Sequence, residues 1–147
     1  MLSKKIKKVT SSVKKIPEKK LVVSKSAPSD ISDIRRLNPG PRLSDAVIFG
    51  NMIYLAGKVA HKNKGKSVTL QTKEILAAID ATLKQAGTNK SRLITANIWL
   101  ANYTTAPEMN AVWDKWVSKD NAPARATVES KLLDPGYTVE IMVTAAL

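Results

Sequence analysis

The chain has 147 residues, 44% of them hydrophobic, which suits one domain with one core. It has no cysteine, so disulfides and thiolate metal sites are excluded, and one histidine, which rules out any two-histidine metal site. The formal charge is +12, but nine lysines against Glu18 and Asp30 lie in residues 1–30, while residues 31–147 carry fifteen Lys/Arg against ten Asp/Glu.

The first thirty residues read as a basic extension. Leu2, Ile6, Val9, Val13 and Ile16 recur at helical spacing with lysines between them, and Pro17 would stop such a helix. Three readings compete: a disordered lysine-rich tail, a basic amphipathic helix for an anionic membrane surface or an organelle import receptor, and an arm for RNA. An import sequence usually prefers arginine, and this stretch has none. The anionic-partner readings fall on residues 1–20, and "SKSAPSD" then reads as a linker. No apolar run approaches the ~18 residues of a membrane span, and no apolar stretch follows the first lysines as in a secretory signal. The expected location is cytoplasmic, or a mitochondrion or plastid if residues 1–30 are a targeting segment.

From Ile31 the pattern becomes that of a folded domain, residues 31–147. "ISDIRRL" predicts a first strand, and "DAVIFGNMIYLAG" predicts a hairpin turning at Gly50-Asn51. His61 falls in a polar, lysine-rich loop and reads as a solvated side chain. "TLQTKEILAAIDATLKQAG" predicts a helix with Ile75, Leu76, Ile79 and Leu83 on one face and Gly87 as its stop. "SRLITANIWLA" predicts a strand with Ile94, Ala96, Ile98 and Leu100 on one side. A second helix, "TAPEMNAVWDKWVSK", has capping-box spacing at Thr105 and Glu108 and an apolar stripe of Met109, Val112, Trp113, Trp116 and Val117. "ARATVES" and "YTVEIMVTAAL" are strands around the turn "DPG".

The order β, β-hairpin, α, β, α, β, β predicts an α+β domain: a mixed sheet with two helices on one face. Nothing in the chain covers the other face, which argues for self-association. Two side chains stand out for chemistry. Arg125 lies among small residues that leave room for a ligand or another subunit, and its planar fork suits a carboxylate. Glu140 is a lone carboxylate in the last β run. They read either as an ion pair across adjacent strands or as a small anion site.

"DAVIFGNMIYLAG", "EILAAIDATLKQAGTNKSRLITANIWLAN", "MNAVWDKWV", "APARATVE" and "TVEIMVTAA" together resemble the Rid (YjgF-like) family, and most closely its YoaB-like branch. The resemblance covers about residues 33–147. It implies a chorismate-mutase-like fold assembled as a homotrimer, with sheets closing into a barrel and clefts between subunits. It implies hydrolysis of reactive 2-imino or 2-enamino acids, such as 2-aminoacrylate, to 2-oxo acids and ammonia, with no metal or cofactor. It implies that Arg125 holds the substrate carboxylate and Glu140 positions the attacking water. Asn110 corresponds to a helix asparagine near the cleft, and Gly57 to a glycine whose backbone approaches the ligand. Three positions depart from the family's deaminases. Leu43 stands for a tyrosine, Ala56 for a serine and Thr127 for a cysteine, threonine keeping a hydroxyl for substrate contact. Two alternatives remain open: a non-enzymatic trimeric binder of a small carboxylate-bearing metabolite, and an RNA-associated protein. The second follows from relatives described as translation inhibitors or ribonucleases.

Overall fold

The computed structural model describes residues 34–147. The expectations for the basic extension, its helix and its anionic partner lie outside the described residues, as do the first residues of the expected strand at 31–33. The observed elements are β1 (Arg35–Pro39), β2 (Ser44–Phe49), β3 (Met52–Leu55), α1 (Val68–Gln85), β4 (Leu93–Leu100), α2 (Ala106–Trp116), β5 (Ala124–Glu129) and β6 (Val139–Ala146). This is the order the sequence predicts.

The strands form one six-stranded sheet in the order β1-β2-β3-β6-β4-β5. All neighbours are antiparallel except β4 and β5, which run parallel because α2 carries the chain back between them. The last strand therefore enters the middle of the sheet, between β3 and β4. Successive side chains of a strand point to opposite faces, and burial follows that rule in β6. Val139, Ile141, Val143 and Ala145 are buried, whereas Glu140, Met142 and Thr144 are only half-buried. The buried set meets Ile75, Leu76, Ile79 and Leu83 of α1 and Met109 and Trp113 of α2 in one core. Each large aliphatic side chain buried there stabilises the fold by about 1.5–3 kcal/mol.

Local chemistry explains the boundaries. Gly50 takes a φ of 56° in the hairpin, and Asn51 does not take a positive φ, the pattern of a type II′ turn with glycine first. At the end of α1, Gly87 (φ 83°) donates its N–H to the Lys84 carbonyl, and Thr88 donates to that of Leu83. These two bonds form a Schellman motif, which gives Gly87 its role as the stop.

Two local expectations are corrected. The Thr105 side chain makes no capping bond; its hydroxyl donates to the Asn102 carbonyl at 2.7 Å. A 3-10 turn, Tyr103–Thr105, precedes α2, and Asn102 caps that turn by accepting from the Thr104 N–H at 2.9 Å. In β4 the register shifts between Leu93 and Thr95. The irregularity puts Leu93 in the core and leaves Ile94 42% exposed, so the simple alternation holds only from Ala96 onward.

The face opposite the helices is open. It carries Val47, Met52, Tyr54, Trp99, Glu140, Met142 and Thr144, none of them buried, with Tyr54 45% exposed. No helix among the described residues is long and apolar enough to cross a membrane.

Candidate functional site: two half-sites on opposite faces

Arg125 lies on β5 in register with Ala96, which is in register with Val143. Both partners point into the core, so the arginine leaves the sheet on the helical side. There its guanidinium carbon sits 5.2 Å from the centroid of the Trp113 ring, and one terminal nitrogen donates to the Asn110 side-chain oxygen at 2.9 Å. Asn110 and Trp113 are one helical turn apart on α2, so both reach the same cation. A ring face beneath a guanidinium stabilises it and limits its movement. Arg125 is exposed in the single chain. Thr127, two residues on, shares its face and is also exposed. Ala124 and Ala126 fall on the other face, opposite Thr95 and Asn97.

Trp113 belongs to the apolar stripe of α2. It is buried, yet it also supports the arginine. The signal was its position three residues after Asn110.

Glu140 takes the opposite direction. It alternates with the buried residues of β6, pairs in register with Trp99, and so projects from the open face. Its carboxylate lies against Gly57. A Cβ built on Gly57 would stand 2.0 Å from the Glu140 Oε1, so the glutamate keeps this position only while residue 57 is glycine. Gly57 is held in place on both sides. The next residue, Lys58, exchanges two backbone hydrogen bonds with Ile141, at 2.9 and 3.1 Å. The Lys58 ammonium donates to Asp45 at 2.6 Å. That bond, with a second from the Asn38 amide, holds the Asp45 carboxyl below the usual aspartate range. Ala56, just before Gly57, donates its N–H to the Asp45 carbonyl at 3.0 Å. Leu43, 59% exposed, precedes β2 at the same end of the sheet.

The structure thus brings together Arg125, Asn110 and Thr127 on one side, and Glu140 and Gly57 on the other. It does not bring the two sets together. β4 lies between β5 and β6. Two strand spacings are ~10 Å and the side chains diverge to opposite faces, so no ion pair across adjacent strands can form within one chain. His61 is an exposed loop residue, as the sequence predicts, with its Nδ1 3.0 Å from the Tyr137 hydroxyl. Among the described residues, no group of three or more His, Cys, Asp or Glu side chains is placed to hold a metal.

A sheet with two helices on one face and a free opposite face is the architecture of YjgF-type proteins. A YjgF family member from Neisseria meningitidis superposes with a TM-score of 0.75 at 39% identity, covering 78% of this chain and 94% of that one. A protein from Salmonella typhimurium described as a putative translation initiation inhibitor superposes with a TM-score of 0.72 at 38% identity, covering 78% and 98%. The family profile described as Endoribonuclease L-PSP matches residues 34–147. A RutC family protein of Haemophilus influenzae is 43% identical over 112 residues, 76% of this chain and 97% of its own. The RutC family protein YoaB of Escherichia coli is 40% identical over 114 residues, 78% of this chain and 98% of its own. The chain belongs to the Rid (YjgF-like) family, on its YoaB-like branch.

Proposed function

We propose that the protein hydrolyses 2-imino or 2-enamino acids to 2-oxo acids and ammonia, in a site built from two copies of the chain. The observation that carries this reading is the division just described. Each copy presents a carboxylate clamp on the helical side of one sheet edge and a water-directing carboxylate on the open face. Neither half is complete alone. Association through the open face, which leaves Tyr54, Trp99 and Met142 uncovered in a single copy, would bring the Glu140 half of one copy to the Arg125 half of another. The family resemblance supports a closed trimer as that assembly.

The chemistry asked of such a site is modest. The Arg125 fork takes the substrate carboxylate through two parallel N–H bonds. Asn110 and Trp113 limit the fork's movement, and the Thr127 hydroxyl offers a further contact. Glu140 accepts a hydrogen bond from a water and later its proton, so that the water oxygen attacks the imine carbon. Glu140 returns that proton to the nitrogen of the carbinolamine, which departs as ammonia while the hydroxyl gives up its proton and becomes the carbonyl of the 2-oxo acid. An enamine reaches the same path once it has picked up a proton at carbon and become the imine. Holding the acceptor beside an oriented water supplies most of the advantage over solution.

The test generates 2-aminoacrylate enzymatically and follows 2-oxo acid release with wild type and Arg125→Ala. The reading requires a rate above background that the substitution removes. Equal background rates for both would end it.

A second reading, a non-enzymatic binder of small carboxylates, is favoured by Leu43 and Ala56. They put apolar groups where the family's deaminases carry hydroxyls. Thermal stabilisation by 2-oxo acids without turnover would establish it. The relatives' ribonuclease and translation-inhibitor descriptions have weaker support here. His61 is the single histidine of the sequence and lies in a loop beside Tyr137, with no second histidine for acid–base cleavage of RNA.

A further inference from the structure

The helical layer carries a second feature that the clamp and Glu140 do not use. Between α1 and α2 runs a groove of about 510 Å³, lined by Lys73, Lys90, Lys115, Glu108, Val112 and Trp116 among others. Its lining sets three lysines and one glutamate around Ala111, Val112 and Trp116. The Trp116 indole N–H is taken by Asp80, to which it donates at 2.8 Å. That bond fixes the orientation of the ring. The Lys90 ammonium lies over the same ring, 5.4 Å from its centroid, so the indole face is covered by a flexible cationic side chain. A cation and a flat surface therefore lie within one ligand's reach.

We propose that this groove binds small organic anions with a flat apolar body, of which an aromatic carboxylate is the simplest. The ligand's apolar body would take the place of the Lys90 ammonium over Trp116, beside Val112, and its carboxylate would meet the displaced Lys90 and Lys115. The volume lies within the ordinary range for small-molecule sites, about 300–1,000 Å³. The other groove of note, about 270 Å³ beside Lys131 and Asp134, is half the size, and its charges offset one another. The site lies in the helical layer, away from the open sheet face, so association through that face leaves it accessible. Trp113 connects this groove to the clamp. Its ring centroid is 5.2 Å from that of Trp116, and its own face lies under Arg125.

The experiment is calorimetric titration of the full chain with 2-naphthoate and its uncharged counterpart 2-naphthamide, with the Trp116 indole N–H followed by NMR. Binding of naphthoate that shifts the Trp116 resonance and weakens on the order of tenfold or more in the amide is expected, because a charged hydrogen-bonded contact is lost. Lys90→Gln combined with Lys115→Gln should weaken naphthoate by a similar factor. Arg125→Ala should leave the affinity read at the Trp116 resonance unchanged, which separates this groove from the clamp whether or not the chain proves to be a deaminase. Trp116→Phe retains a ring but loses the Asp80 bond, and should weaken both ligands alike. Equal affinity for acid and amide overturns the proposal. So does naphthoate binding that Arg125→Ala alone abolishes, or capture of a glutamate-rich peptide with no binding of naphthoate.

Discussion

The carboxylate of Glu140 lies so close over Gly57 that a single added methyl would fall 2.0 Å from its Oε1. Gly57 does not sit in the left-handed region of backbone space, so its glycine is demanded by contact and not by conformation. Gly57→Ala should therefore fold, since the glutamate can swing toward solvent, but the carboxylate must leave its place. The expected result is a melting temperature within a few degrees of wild type and imine hydrolysis reduced about a hundredfold or more, as when a positioned acid–base group is lost. Glu140→Gln should show the same rate loss with Gly57 intact. Full activity in Gly57→Ala would mean that the carboxylate works from another position.

Much of this architecture was legible in the sequence, and the exceptions share a cause. The Gly50-Asn51 hairpin, α1 with its stop at Gly87, and the stripe of α2 depend on neighbours within a few residues. The divergence of Arg125 and Glu140 depends on β6 entering between β3 and β4, a pairing across the whole domain that no local pattern encodes. The failed capping box and the shifted start of β4 are smaller cases. At both, a 3-10 turn (Tyr103–Thr105 or Lys90–Arg92) adjoins the element and moves its phase. Thr127, Asn110 and Gly57 were reached through family resemblance, because nothing in their own spacing marks them.

Asn110 touches the guanidinium at 2.9 Å, and its effect on binding should follow from its charge. Asn110→Ala removes one acceptor but leaves the Trp113 ring in place, so KM should rise roughly fivefold with kcat little changed. Asn110→Asp keeps an acceptor in the same position but makes it an anion. It would compete with the substrate carboxylate for Arg125, so KM should rise further than with alanine. Steady-state kinetics on the two variants decide the matter. An aspartate variant that binds as well as wild type would place the substrate elsewhere.

The Lys58–Asp45 pair anchors the strand end that carries Gly57, and its contribution has a definite pH signature. The Asp45 carboxyl is held below its ordinary range in the folded chain, chiefly by the Lys58 hydrogen bond. The unfolded chain thus takes up its proton first as pH falls. The stabilisation is complete above about pH 5 and fades below about pH 4, as the folded carboxyl itself titrates. Both side chains are partly open to water, so the expected size is no more than about 1 kcal/mol. Thermal melts of wild type and Asp45→Asn should differ at pH 7, and the gap should narrow progressively as the pH falls below about 4. A gap that widens on acidification would contradict the assignment.

The most direct test of a site shared between copies is complementation. Arg125→Ala and Glu140→Ala chains, each inactive alone, are mixed in equal amounts, denatured and refolded together. Where an Arg125 from one variant faces a Glu140 from the other, an intact site reappears. Random assembly places these at about a quarter of all interfaces whatever the size of the closed ring. Recovery of about a quarter of wild-type 2-aminoacrylate hydrolysis is the predicted result. Mixed assemblies that form, as shown by mass spectrometry, and remain as inactive as their parents would contradict it.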